Sequence, residues 1–174
     1  MQLRYFNQPH FENGSLKLIS QVLKEHGINN PLICTDPGLV AIGMTDKIRN
    51  LLSNELSPTF YTETPANPTE QAVNDALELY KQNKCDGVVG FGGGSSMDLA
   101  KTVALMANHE GNVVDYSVNE GGTGKITETV PTIAIPTTSG TGSEVSLGAV
   151  IIMNDGRKLI LASDHLVPNA AICD

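Results

Sequence analysis

The sequence predicts an α/β fold, a parallel sheet covered by helices on both faces, with an antiparallel β-hairpin near the carboxyl end. Three observations predict it. The segments 31–35, 87–91 and 130–135 are unbroken apolar runs, as strands buried on both faces must be. Segments of helical period alternate with them along the chain. A glycine-rich turn joins the middle run directly to a helical segment, and the whole reads as Rossmann-like.

Leu16 to His26 places apolar side chains at 16, 18, 19, 22 and 23 and stops at Gly27, which predicts a helix with a glycine terminator. Pro31 to Thr35 follows as a short strand. Asp36-Pro37-Gly38 turns the chain into a helix expected to run to about Leu52, and Thr59 to Thr62 is a further short strand. A helix from Thr69 to about Asn83 carries Ala72, Val73, Ala76, Leu77 and Tyr80 on one face. Gly87 to Phe91 and Val130 to Ile135 are the next buried strands. The Gly-rich stretch Asn119 to Lys125 reads as a mobile surface loop. Val145 to Met153 and Arg157 to Ala162 flank Asn154-Asp155-Gly156, and Asp-Gly is a strong short-range hairpin signal.

Gly92-Gly93-Gly94-Ser95-Ser96-Met97-Asp98 is the segment that reads as chemistry. A connecting turn needs one glycine, and each additional one costs about 0.5–1 kcal/mol in backbone entropy. Something must therefore approach this backbone closely. Leu99, Ala100, Val103, Ala104 and Ala107 give the following helix an apolar stripe. The free amides at its start carry partial positive charge and suit a phosphate or pyrophosphate. Ser95 is a natural N-cap. With Asp98 three residues on it resembles a capping box, so both residues also have an ordinary structural explanation. Pro136-Thr137-Thr138-Ser139-Gly140-Thr141-Gly142-Ser143 is a second small, hydroxyl-rich loop after a strand. Ligands in parallel α/β sheets gather at the carboxyl ends of the strands, so the two loops share one rim.

Composition bounds the rest. A chain of 174 residues with 40% hydrophobic residues supports one domain with a real core and is short for two. Nineteen acidic and eleven basic side chains give a net charge of -8, which argues against broad contact with nucleic acid or an anionic membrane face. No apolar stretch approaches the roughly 20 residues that span a bilayer, and Met1 to Gly14 lacks a secretory pattern. Cys34, Cys85 and Cys173 are odd in number and widely spaced, which reads as reduced, buried thiols in a cytoplasmic protein. His10, His26, His109 and His165 are far apart with no pair at helical spacing, so they read as surface residues and support no metal site.

Four features in order, Cys34-Thr35-Asp36, Pro65-Ala66-Asn67-Pro68-Thr69, Gly92 to Lys101 and Pro136 to Glu144, resemble the iron-containing alcohol dehydrogenases over nearly the whole chain. The last two together are highly specific. The resemblance implies that residues 1–174 are the dinucleotide-binding, amino-terminal half of such an enzyme, which transfers hydride between an alcohol or aldehyde and a nicotinamide. It implies that Gly93, Gly94 and Ser95 bind the pyrophosphate, with Asp98 beside them. Thr137, Thr138 and Thr141 would line the cofactor cleft, and Asn67, Ser146 and Lys158 would make further cofactor contacts; Ser146 stands where threonine is common. Asp36 is placed to accept hydrogen bonds from an adenosine ribose, and its charge would repel the extra phosphate of NADP, so NAD is expected before NADP.

Each position also has a plainer reading. Asp36 fits an Asx turn ahead of Pro37, Lys158 an exposed hairpin charge, Thr137 and Thr138 a self-bonded loop, and Asn67 a helix start. The resemblance places the iron ligands, an Asp and three His, in a helical carboxyl-terminal half absent from this chain. Pro168 to Asp174 matches the join to that half, so Asp174 is not the metal-binding Asp. The chain alone is then expected to bind cofactor without turning over alcohol, as a fragment or separately made half. Iron or zinc would belong to the full-length enzyme alone. The expected partners are an alcohol or aldehyde, the helical half and further copies in a homo-oligomer, with neither nucleic acid nor membrane. The alternatives are a zinc-type relative, such as a glycerol dehydrogenase or dehydroquinate synthase, and a free-standing nucleotide-binding module.

Overall fold

The computed structural model describes residues 7–174. Thirteen regular elements follow in chain order, with short 3-10 turns between them: β1 (Gln8–Phe11), α1 (Ile19–Glu25), β2 (Pro31–Cys34), α2 (Pro37–Ala41), α3 (Met44–Leu51), β3 (Thr59–Tyr61), α4 (Glu70–Gln82), β4 (Gly87–Gly92), α5 (Gly94–Asn108), β5 (Thr132–Pro136), β6 (Gly148–Ile152), β7 (Lys158–Ala162) and β8 (Ala170–Cys173). Six strands pair in parallel in the order β1-β8-β5-β4-β2-β3. β6 and β7 form a separate antiparallel pair, the expected hairpin, with its turn at Asn154-Asp155-Gly156.

The central strands are buried from end to end, and alternate side chains enter opposite cores because successive Cβ atoms point to opposite faces. Ile33, Val89, Phe91, Ile133 and Ile135 pack with Ile19, Val22, Leu23 and Ile48 of α1 and α3. Leu32, Cys34 and Val88 pack with Val73, Ala76 and Tyr80 of α4 and Leu99, Val103 and Ala104 of α5, and there Ile151, Leu159 and Leu161 of the hairpin join them. The sheet is thus covered on both faces, as the unbroken apolar runs require.

Several boundaries differ from expectation, each for a local reason. The helix expected from Asp36 to Leu52 is two helices. Asp36 caps α2 by accepting from the Leu39 amide at 3.0 Å, and Gly43, at φ 76°, ends it and starts α3 at a new angle. The helix expected from Leu16 begins as a 3-10 turn, Ser15–Leu18, before α1. β1 and β8 escaped the sequence reading. β1 is an exposed edge strand with no apolar alternation, and β8 lies in the stretch that reads as a join. The stretch 119–125, expected as a surface loop, winds into two 3-10 turns with Gly122 buried. His10, His26 and His109 are half-buried, not surface residues. The His109 ring meets Tyr116 edge-on, with Nδ1 2.9 Å from the Leu105 carbonyl. Cys34 and Cys85 are buried as expected, and Cys173 is half-buried.

Candidate functional site: a glycine turn at the switch point

The chain leaves β2 outward to β3, then returns to β4 on the other side of β2 and proceeds to β5. Connections from β2 and β4 therefore diverge, and a crevice opens at their carboxyl ends, where ligands settle in sheets of this kind. The pairing register sets Cys34 opposite Gly90 and Gly92 opposite Pro136, so Asp36, Gly93 and Thr137 arrive at one rim. A cleft of about 740 Å³ lies there, with Asp36, Thr64, Gly93, Ser95, Thr137 and Thr138 in its wall. A second cleft of about 690 Å³ shares Thr137 and Thr138 and continues to Glu144 and Asp174.

The glycines divide into two kinds. Gly92 has φ 149°, and a Cβ there would stand 2.5 Å from Ser96 Oγ, so the turn itself requires this glycine. Gly93 has φ −76° and ψ −171°, which any residue adopts, and the nearest atom to an added Cβ is Thr138 Oγ1 at 3.7 Å. Gly94 is the first residue of α5, and its added Cβ would make ordinary contact with Thr141 Cβ at 3.4 Å. Neither backbone strain nor packing demands these two glycines. Their missing side chains leave open space over the start of a 15-residue helix.

Gly93, not Ser95, is the N-cap of α5, and no side chain caps that end. The capping box expected of Ser95 and Asp98 does not form. Ser95 lies inside the first turn and its hydroxyl donates to the Ala66 carbonyl, binding the 64–68 loop to the glycine turn. Asp98, one turn later, accepts from Ser143 Oγ at 2.7 Å and from the Val150 amide at 3.0 Å. With its side-chain acceptor directed elsewhere, the first turn of α5 has amides that no side chain caps. The helix dipole adds partial positive charge at the same place.

The remaining expected residues fall into two groups. Thr137, Thr138 and Thr141 are exposed along the rim facing Gly93 and Gly94. Asn67 and Lys158, 91 positions apart, meet at the surface with Lys158 Nζ 3.3 Å from Asn67 Oδ1, which puts one cation at the edge of the 64–68 loop. Ser146 is engaged inside the protein: its carbonyl and hydroxyl accept from Lys101 Nζ at 2.9 and 3.1 Å, and its hydroxyl lies 3.2 Å from the Gly148 carbonyl.

Sequence reasoning gave no individual role to Lys101, Ser143 or Thr64, although Ser143 stands in the hydroxyl-rich loop and Lys101 ends the segment that begins at Gly92. Lys101 is 1% exposed, in a helix that is otherwise apolar from Leu99 to Met106 apart from Thr102. A lone cation inside such a run is the signal that could have found it, since a buried ammonium needs partners. Burial pushes Lys101 down to about 8, against the opposing pull of Asp98 and Glu144. Burial also raises Asp98 above the usual carboxylate range, opposed by the Ser143 and Val150 hydrogen bonds and by Lys101 and Lys158. The Thr64 hydroxyl is buried beside the first cleft with no partner among the described residues. No three His, Cys, Asp or Glu side chains come together to hold a metal among the described residues. Asp174, on the second cleft, caps the amino-terminal 3-10 turn by accepting from the Gly14 and Leu16 amides at 2.9 and 3.0 Å, which lowers its carboxyl below the usual range.

Comparison with known proteins places this arrangement. Residues 7–174 match the family model for iron-containing alcohol dehydrogenase. The chain is 46% identical over 171 residues to 4-hydroxybutyrate dehydrogenase of Cupriavidus necator, an alignment covering 98% of this chain and 44% of that protein. The fold superposes with a TM-score of 0.89 on sulfoacetaldehyde reductase from Bifidobacterium kashiwanohense in complex with NAD+, at 30% identity, over 99% of this chain and 46% of that one. NADH-dependent butanol dehydrogenase A from Thermotoga maritima superposes at 0.91 with 28% identity, over all of this chain and 44% of that one. The chain therefore spans less than half the length of these relatives. With a Rossmann-like parallel sheet, a separate hairpin and a family match from residue 7 to residue 174, the chain belongs to the iron-containing alcohol dehydrogenase family.

Proposed function

We propose that residues 1–174 are the dinucleotide-binding domain of an oxidoreductase acting on a small alcohol or aldehyde, and that NAD occupies the crevice between β2 and β4. One observation carries this reading. Gly93 and Gly94 lack side chains that neither conformation nor packing forbids, at the start of a long helix without a side-chain cap. A diphosphate fits that space, because it brings oxygens to the unsatisfied amides and negative charge to the positive end of the dipole. When bound, the nicotinamide supplies the hydride acceptor or donor.

The chain's own residues bind and orient. The Gly93–Ser95 amides would hold the diphosphate, with Thr137, Thr138 and Thr141 offering hydroxyls from the facing rim. Asp36 spends one carboxylate oxygen on the Leu39 amide and keeps Oδ2, beside Gly92, for a ribose hydroxyl. A phosphate at that ribose would meet a carboxylate at close range, which disfavours NADP. Lys158 and Asn67 close the far edge. Iron finds no cluster of ligands among the described residues, and no step is assigned to it in this chain.

Titration calorimetry of the 174-residue chain with NAD and NADP tests the reading. NAD is expected to bind at least tenfold more tightly than NADP. Absence of saturable binding by either nucleotide would refute it. With iron or zinc added, the same chain is expected to hold NAD without forming NADH from alcohols, since the described residues assemble no metal site. Sustained turnover in that assay would overturn this division of labour.

A further inference from the structure

One turn of α5 grips a segment that is remote in sequence. Lys101 directs its ammonium at three oxygens, the Ser146 carbonyl at 2.9 Å, the Ser146 hydroxyl at 3.1 Å and the Gly148 carbonyl at 3.0 Å, which uses all three of its N–H donors. Asp98, three residues earlier, takes Ser143 Oγ and the Val150 amide. Four of the eight residues from 143 to 150 are thus fixed to two side chains of a helix some 45 positions away. Asp98 and Lys101 form no ion pair with each other within 4 Å; each faces the segment instead.

The segment just before this anchor is the exposed rim of the cleft. Thr137 to Thr141 contributes exposed side chains only, with Gly140 and Gly142 at φ 89° and 69°. Its first residue is held by the Thr137 amide on the Gly92 carbonyl at 2.9 Å. Beyond Thr141 the chain is held by local bonds, Ser143 N to Thr141 Oγ1 at 3.4 Å and Val145 N to the Gly142 carbonyl at 3.2 Å, by one bond from Asn7 Nδ2 to the Glu144 carbonyl at 2.8 Å, and by Asp98 and Lys101. A buried ammonium is a costly way to pack a helix on a hairpin, since an apolar side chain of the same length would fill the space without desolvation. What the charged pair adds is direction. The donors and acceptors accept only one placement of residues 143–150, and through it one width of the gap between the threonine rim and the glycine turn.

We propose that Asp98 and Lys101 are positioning residues that set the distance of the Thr137–Thr141 rim from the Gly93–Gly94 turn, and so control dinucleotide affinity without touching the dinucleotide. The inference rests on the reading of the crevice as a dinucleotide site. It gives Asp98 a different task from the direct cofactor contact that the resemblance implies. Helix α5 then does two jobs with successive turns, the first presenting amides and the second clamping the opposite wall.

The test uses the 174-residue chain and its Lys101→Met, Asp98→Asn and Ser143→Ala forms, with two readouts. Calorimetry gives NAD affinity, and amide hydrogen exchange compares residues 138–150 with β4 and the core of α5. Lys101→Met is expected to weaken NAD at least tenfold and to speed exchange at least tenfold at residues 138–150, with β4 protection unchanged. Ser143→Ala deletes one clamp bond while leaving both charged side chains in place and serves if the Asp98 and Lys101 variants fail to fold; about threefold effects on both readouts are expected. Faster exchange with NAD affinity kept within twofold would overturn the positioning role and leave the site reading standing. A wild-type chain that takes up no NAD would instead overturn the site reading, a result that needs no variant.

Discussion

Gly94→Ala separates a glycine kept for a ligand from one kept for the fold, because the two reasons predict opposite signs for stability. Gly94 is the first residue of α5, and an added Cβ meets nothing closer than Thr141 Cβ at 3.4 Å and Thr141 Cγ2 at 3.6 Å, both ordinary contacts. Alanine in a helix is favoured over glycine by about 0.8–1.0 kcal/mol in an interior position, with less expected in the first turn. For a domain of this size, up to about 1 kcal/mol corresponds to roughly 2–4 °C in Tm. The variant should therefore melt at the same temperature or slightly higher. The methyl group, however, stands over the amides proposed to hold the diphosphate. Losing one hydrogen bond to a charged group costs about 1.5–3 kcal/mol, or roughly 10- to 150-fold in Kd. Gly94→Val, bulkier still, should abolish measurable binding. Circular dichroism melts and calorimetric NAD titration on the same preparations check both signs. Unchanged Tm with NAD affinity within twofold of wild type would remove the phosphate-cradle argument.

Asp36→Ala should narrow the preference for NAD over NADP to within a few-fold and, by deleting the α2 cap, lower stability by about 1 kcal/mol, measurable by parallel titrations and a melt. Lys101 makes stability depend on pH. Its folded value near 8 lies below the 10.5 of an unfolded lysine, so between those values the unfolded chain binds the extra proton and stability rises with pH, by on the order of 3 kcal/mol if nothing opposed it. Below about pH 8 the contribution is flat. Cys34 and Cys85, raised by burial, oppose this rise from about pH 9, and Tyr61 and Tyr80, raised to about 12 by burial, oppose it further from about pH 10. Melts of wild type and Lys101→Met at pH 7.5, 8.5 and 9.5 should therefore diverge, and parallel curves would refute the assignment. Cys34, fully buried with its thiol pushed far up, should resist alkylation at pH 8 until the chain unfolds, whereas modification of native protein at the rate of a free thiol would contradict its placement.

Much of this molecule is legible in local pattern. Unbroken apolar runs at 31–35, 87–91 and 130–135, alternating with helical segments and bounded by turn residues, read as strands covered on both faces, so the layered sheet follows from hydrophobic burial and this alternation. Asp155-Gly156 turns the hairpin, and Gly92-Gly93-Gly94 marks the turn from β4 into α5, because backbone conformation and side-chain size are properties of the residues themselves. Thr69 capping α4 through the Ala72 amide was similarly readable at the predicted boundary. What local pattern lacks is partners. Whether Asp98 caps its own helix or takes Ser143 and Val150 depends on which segment the fold brings beside it, and the local option and the distant one use the same carboxylate. β1 has no apolar code because one of its flanks faces solvent, and its pairing with β8 spans the length of the chain. Lys101 shows the difference most sharply. Its sequence gives a cation in an apolar helix, and the three oxygens that make its burial tolerable belong to residues 146 and 148. The sequence by itself therefore determined the central strands, most of the helices and the glycine turn that opens α5, and missed β1, β8 and the break at Gly43. Tertiary structure alone decided which polar groups distant in sequence meet, because desolvated hydrogen bonds are settled by distance in space and not along the chain.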